Sequence, residues 1–98
     1  MSDELKRKAI FDRAIDTEIL FYVREMQQRA PVGVGAIEAY LTRQRQMVTD
    51  LTEIRDRLAY MVSQGRLKDE KEFEAGEWVH YYSITASGMD VLDGKVPY

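Results

Sequence analysis

Cysteine is absent from the chain, which removes disulfides, thiolate metal sites and cysteine nucleophiles together. The absence suits a reducing compartment. Histidine occurs once, at His80, inside an aromatic stretch with no carboxylate at ligand spacing, so it reads as a structural or surface residue rather than a zinc ligand or a catalytic base. Long apolar runs are missing as well. The longest, Ile19 to Val23, is far too short to cross a bilayer. The charged start Met1-Ser2-Asp3-Glu4-Leu5-Lys6-Arg7-Lys8 is followed by no apolar stretch, unlike a secretory signal. A cytoplasmic chain without membrane contact is the expectation.

Catalytic patterns are equally scarce. No Gly-x-Ser-x-Gly surrounds any of Ser2, Ser63, Ser83 or Ser87. Gly33-Val34-Gly35 lacks the third glycine and the long preceding strand of a dinucleotide loop. Glu72 and Glu74 lie in a charged hairpin, where acids keep a strand edge solvated. The chain therefore reads as a non-enzyme with no metal and no cofactor.

A basic surplus is the last thing lacking. Acids number 17 against 14 lysines and arginines, a net charge of −3. Residues 1–29 balance six acids with six bases and residues 30–64 balance four with four, whereas residues 65–98 hold seven acids and four bases. Phosphate neutralisation supplies most non-specific affinity for DNA, so this distribution argues against an extensive DNA footprint.

What is present is an ordinary globular composition, 45% hydrophobic and 32% charged, in 98 residues. That length fits one domain spanning 1–98. Helical periodicity runs from about Asp3 to Arg29, stopping before Pro31. Phe11, Ile15, Ile19, Tyr22, Val23 and Met26 form its core face. Ile10, Ala14, Thr17 and Phe21 make a second row on the opposite side, spaced four, three and four like a coiled-coil seam. Either the other helices wrap this helix, or the row is the seam of a homodimer.

Val32 and Val34 fit a short strand, followed by a helix from Ala36 to about Arg45 with Ile37, Tyr40 and Leu41 on one face. Thr49 is placed to cap a third helix, from about Asp50 to Gln64, whose buried stripe is Leu51, Ile54, Leu58, Met61 and Val62. Gly65 ends it. The period then changes to two: Leu67 to Phe73 pairs with the strand around Trp78, His80, Tyr82 and Ile84 through a turn near Gly76. Thr85 caps a last short helix through Asp93, closed by Gly94. This order gives an α+β winged helix-turn-helix, helix rich, with a small antiparallel β-wing.

Two surfaces carry functional possibilities. Thr52, Glu53, Asp56, Tyr60 and Ser63 project from the third helix with Thr49, while Arg57 lies to one side and Arg55 nearer the core boundary. Thr49 and Thr52 near the helix start, with Arg43, Arg45, Arg55 and Arg57 as phosphate contacts, are the candidates for double-stranded DNA. Glu53 and Asp56 oppose that reading, and pairing of Glu53 with Arg57 would make the face merely solvated. The alternative is a protein partner engaged by Phe73, Trp78 and Tyr81 inside an acidic rim. Arginines clustered on one open face favour DNA; arginines neutralised by acids favour protein.

Val48-Thr49-Asp50-Leu51, with Arg57-Leu58-Ala59-Tyr60-Met61-Val62-Ser63-Gln64-Gly65-Arg66-Leu67, resembles the third helix and following strand of winged-helix regulators. Tyr82-Ser83-Ile84-Thr85-Ala86-Ser87-Gly88-Met89-Asp90-Val91-Leu92-Asp93-Gly94 resembles the ending of small winged-helix proteins encoded in Mu-like prophages. Arg66, where leucine is usual, and the acidic hairpin depart from the pattern. The resemblance implies the fold and a phage origin, and brings no functional residue with it. The expected activity is that of a DNA-associated regulatory or phage accessory protein.

Overall fold

The computed structural model describes residues 3–47 and 50–97. Along them run helix α1 (Asp3–Met26), strand β1 (Val32–Gly33), helix α2 (Val34–Ala39), helix α3 (Leu51–Ser63), strands β2 (Leu67–Glu74) and β3 (Glu77–Ile84), and helix α4 (Ala86–Leu92). The fold is α+β, with one antiparallel sheet ordered β1-β3-β2.

The core lies where α1, α2 and α3 meet one face of that sheet. Ile15, Ile19, Leu20 and Val23 of α1 pack with Ile37, Leu41, Ile54, Leu58 and Met61, and Val32, Leu67 and Tyr82 close the cluster from the sheet. The expected stripe of α1 is thus right at its centre and wrong at its ends. Phe11 and Met26 are more than one-third exposed, and Leu20 is buried in their stead. Leu51 is likewise exposed at the start of α3. Periodicity finds the face of a helix, but how much of its length is covered depends on where its neighbours end.

Helix α1 also stops three residues before the expected Arg29. Gln27 leaves the helix to accept the Ile84 amide with its side-chain oxygen at 2.8 Å, tying α1 to the end of β3. Helix α2 begins at Val34 rather than Ala36 and continues as a π-helical turn over Tyr40–Gln44, with the Arg45 amide bonded to the Tyr40 carbonyl at 2.9 Å. Asp50, not Thr49, is the observed N-cap of α3, accepting from the Thr52 amide at 2.9 Å. Thr49 lies outside the described residues. Aspartate satisfies the same orphan amide and adds a favourable charge at the helix N-terminus.

The hairpin follows the expectation closely. Glu74 pairs with Glu77, leaving Ala75 and Gly76 as a two-residue turn with φ of 50° and 83°. Both positive values belong to the turn type that matches the twist of paired strands. Thr85 caps α4 as expected: its Oγ1 accepts from the Gly88 amide at 3.0 Å and donates to the Gly65 carbonyl at 2.6 Å.

Candidate nucleic-acid interface and hairpin surface

Each of the candidate arginines is set by the element that carries it. The outer side of α3 leaves Thr52, Arg55, Asp56, Ala59, Tyr60 and Ser63 exposed. Arg57 turns inward instead. Its Nε and Nη2 donate to the two carboxylate oxygens of Asp16 at 2.8 and 2.6 Å, and Asp12 lies 3.6 Å from Nη1. The guanidinium also sits 4.4 Å from the Tyr60 ring centroid. Asp16 is fully buried, so this fork is a clamp between α1 and α3.

Arg45 leaves the π-helical turn toward Glu18 of α1, donating at 3.1 Å, while the Tyr40 hydroxyl donates to the other oxygen of the same carboxylate at 2.8 Å. Tyr40 stacks on Tyr22 at 4.3 Å between ring centroids. Burial, then the hydrogen bond to Glu18, raises the Tyr40 hydroxyl above its ordinary pKa. Arg55 remains mostly exposed and lies 3.5 Å from Glu38 of α2. Arg43 is exposed, and among the described residues no ion pair reaches it.

The four arginines are therefore not one open cationic face. Arg45 and Arg57 are engaged by α1, Arg55 is loosely paired by α2, and Arg43 stands apart. The neutralising acids are Asp12, Asp16, Glu18 and Glu38, not Glu53 and Asp56. Glu53 does not take Arg57 at helical spacing, because Asp16 offers two oxygens in a buried site. A signal for this existed in the sequence: Asp16 sits between Ile15 and Ile19 on the core side of α1, where a carboxylate requires a cationic partner.

The proposed aromatic anchors also divide. Phe73 and Trp78 are register partners at the hairpin tip, 63% and 66% exposed, with ring centroids 5.4 Å apart and edge to face. Tyr81 is on the other face of the sheet, where its hydroxyl donates to the Glu74 carboxylate at 2.7 Å. Behind Trp78, toward α3, an open groove of about 610 Å³ is lined by Val34, Arg55, Ala59, Val62, Trp78 and Tyr82. His80 lies along the same side, its Nδ1 2.9 Å from an Asp69 oxygen. Burial, reinforced by the Asp69 charge, pushes the Tyr82 hydroxyl up to about 12. Among the described residues no cluster of three or more potential ligands could hold a metal ion.

The seam residues of α1 do share one side. Ile10 is 70% exposed and Phe21 44%, with Thr17 exposed and Ala14 half-buried between them. The other helices therefore do not wrap this face, contrary to the first of the two readings.

No family model matches the chain, and no curated protein matches it. Its fold is similar to that of a solved structure from Thermoplasma acidophilum, described as "putative transcriptional regulator TA0346". The TM-score is 0.75 at 18% identity, over 91% of this chain and 81% of the other. That likeness extends to the fold and does not bear on the prophage resemblance.

Proposed function

We propose that this chain is a winged-helix regulatory or phage accessory protein of the cytoplasm that acts by binding, not by catalysis, and that α3 is the element it presents to the major groove of DNA. The single observation that carries the reading is the exposed outer side of α3, Thr52, Arg55, Asp56 and Ala59, of which Arg55 and Ala59 border the groove beside the β2–β3 hairpin. Similarity of fold to a protein described as a regulator supports it. Arg43 and Arg55 are the leading phosphate contacts, since Arg45 and Arg57 already hold carboxylates.

Two phosphate contacts per protomer correspond to a salt slope of roughly −0.9 for each. Binding is therefore expected to be weak at physiological salt and detectable at low salt. Replacing Arg43 and Arg55 together by alanine should abolish the salt dependence. Glu38→Gln, which releases Arg55, should tighten binding to all duplexes alike. Titration of a random duplex pool by fluorescence anisotropy checks each expectation. A folded protein that binds no duplex at low salt overturns the reading.

A protein partner is the second reading, favoured by the exposed Phe73–Trp78 pair at the hairpin tip, with Glu72 and Glu74 on the opposite face of β2. Trp78→Ala would then remove partner binding and leave DNA binding intact, the reverse of the arginine variants.

A further inference from the structure

The start of α1 is exposed to solvent. Every residue from Asp3 to Phe11 is exposed; Asp12 then meets Arg57 of α3 at 3.6 Å, and Ile15 is the first buried side chain. An exposed helical arm this short is marginal in water on its own. Its row Ile10, Ala14, Thr17, Phe21 continues into the supported half of the same helix. There the row becomes the floor of a shallow trough. One open hollow of about 350 Å³ lies by Ile10, Ala14 and Met47, and another of about 310 Å³ by Phe21, Tyr40 and Leu92.

The row is its own reversal. Its spacings read four, three, four in either direction, and its sizes read large, small, small, large. A two-fold axis perpendicular to α1, midway between Ala14 and Thr17, sets Ile10 of one copy opposite Phe21 of the other and Ala14 opposite Thr17. An isologous interface requires such self-complementarity, whereas an unrelated partner would not. The small central pair lets the helices approach, and each large end residue falls over a hollow of the opposite copy.

We propose that α1 binds α1 of a second copy of this chain in antiparallel fashion, each exposed arm lying along the walled half of its partner's helix. The inference stands on the α1 face alone and does not depend on DNA binding. Charge supports the direction. At 100° per residue, Arg7 and Glu25 share one flank of the row, and the two-fold brings each beside the other on the opposite copy. On the second flank Lys6 approaches Arg24, which Asp93 already neutralises at 3.2 Å. A parallel pair would instead set like against like, Ile10 with Ile10 beside the two Met47 walls and Phe21 with Phe21 beside the two Leu92 walls, and would bring Arg7 against Arg7.

Sedimentation of the full chain should show a dimer at high micromolar concentration. Phe21→Glu and, separately, Ile10→Glu should give monomers that still unfold cooperatively, because both residues are exposed opposite the core, and that lose the part of the far-ultraviolet helical signal the arm contributes. Since the chain holds no cysteine, Arg7→Cys and Glu25→Cys proteins report direction. Mixed, they should form an intermolecular disulfide under mild oxidation, and neither should do so alone. A monomeric parent, dimers that survive both glutamate variants, or Arg7→Cys cross-linking to itself as readily as to Glu25→Cys would each overturn the proposal.

Discussion

Thr85 bonds in two directions, capping α4 through Gly88 and holding the turn after α3 through the Gly65 carbonyl. Thr85→Ala should therefore cost at least the ~1 kcal/mol of a lost cap, and Thr85→Ser should keep most of it. The denaturation midpoint checks both. Gly88 is constrained by space: an added Cβ would overlap the Arg66 carbonyl oxygen and approach Ile84 Cγ1 to 2.8 Å. Gly88→Ala is expected to destabilise by roughly 1–3 kcal/mol, as overpacking does. Tyr82 makes the alkaline limit of stability predictable. Its hydroxyl titrates near 10.0 in the unfolded chain and at about 12 in the fold, because burial disfavours the phenolate. A folded pKa above the unfolded one means full stability below pH 10, lost as pH rises through 12, by roughly 2 kcal/mol. Denaturation midpoints measured across that window should fall, and Tyr82→Phe should flatten the fall.

Among the elements, the hairpin is the most readable from sequence and the least supported by packing. Alternation and Gly76 reveal both strands and the turn, since a period of two needs no tertiary partner to be seen. Ala75, however, carries a positive φ of 50°, which asparagine or glycine adopts more easily. Ala75→Asn should raise stability by about 0.5 kcal/mol, measured as a higher urea midpoint, with Phe73 and Trp78 undisturbed at the tip. Helix α3 teaches the opposite lesson. Its buried stripe was legible at Ile54, Leu58 and Met61, but the fate of Arg57 was not, because Asp16 is 41 residues away in sequence and meets it only across the α1–α3 contact. Asp16→Asn should cost on the order of 3 kcal/mol, the usual effect of breaking a buried pair from one side, read from chemical denaturation.

For the molecule as a whole, order and charge were written in the chain. Glycines at α3 and α4 ends, a threonine cap, the break before Pro31 and the change of period from 3.6 to two are local signals, and each acts within a few residues. They determined the succession of helices and strands, the terminal cap and the core faces near their centres. The surplus of acids after residue 64 was equally plain. Tertiary structure alone decided what the charges do. It turned Arg45 and Arg57 toward α1, left Arg43 and Arg55 outside, set Tyr81 on the face opposite Phe73 and Trp78, and left Ile10 and Phe21 uncovered. The physical reason is reach: a cap or a turn is settled by neighbours in sequence, whereas an arginine's partner and a helix's exposed flank are settled by which distant segments fold against it.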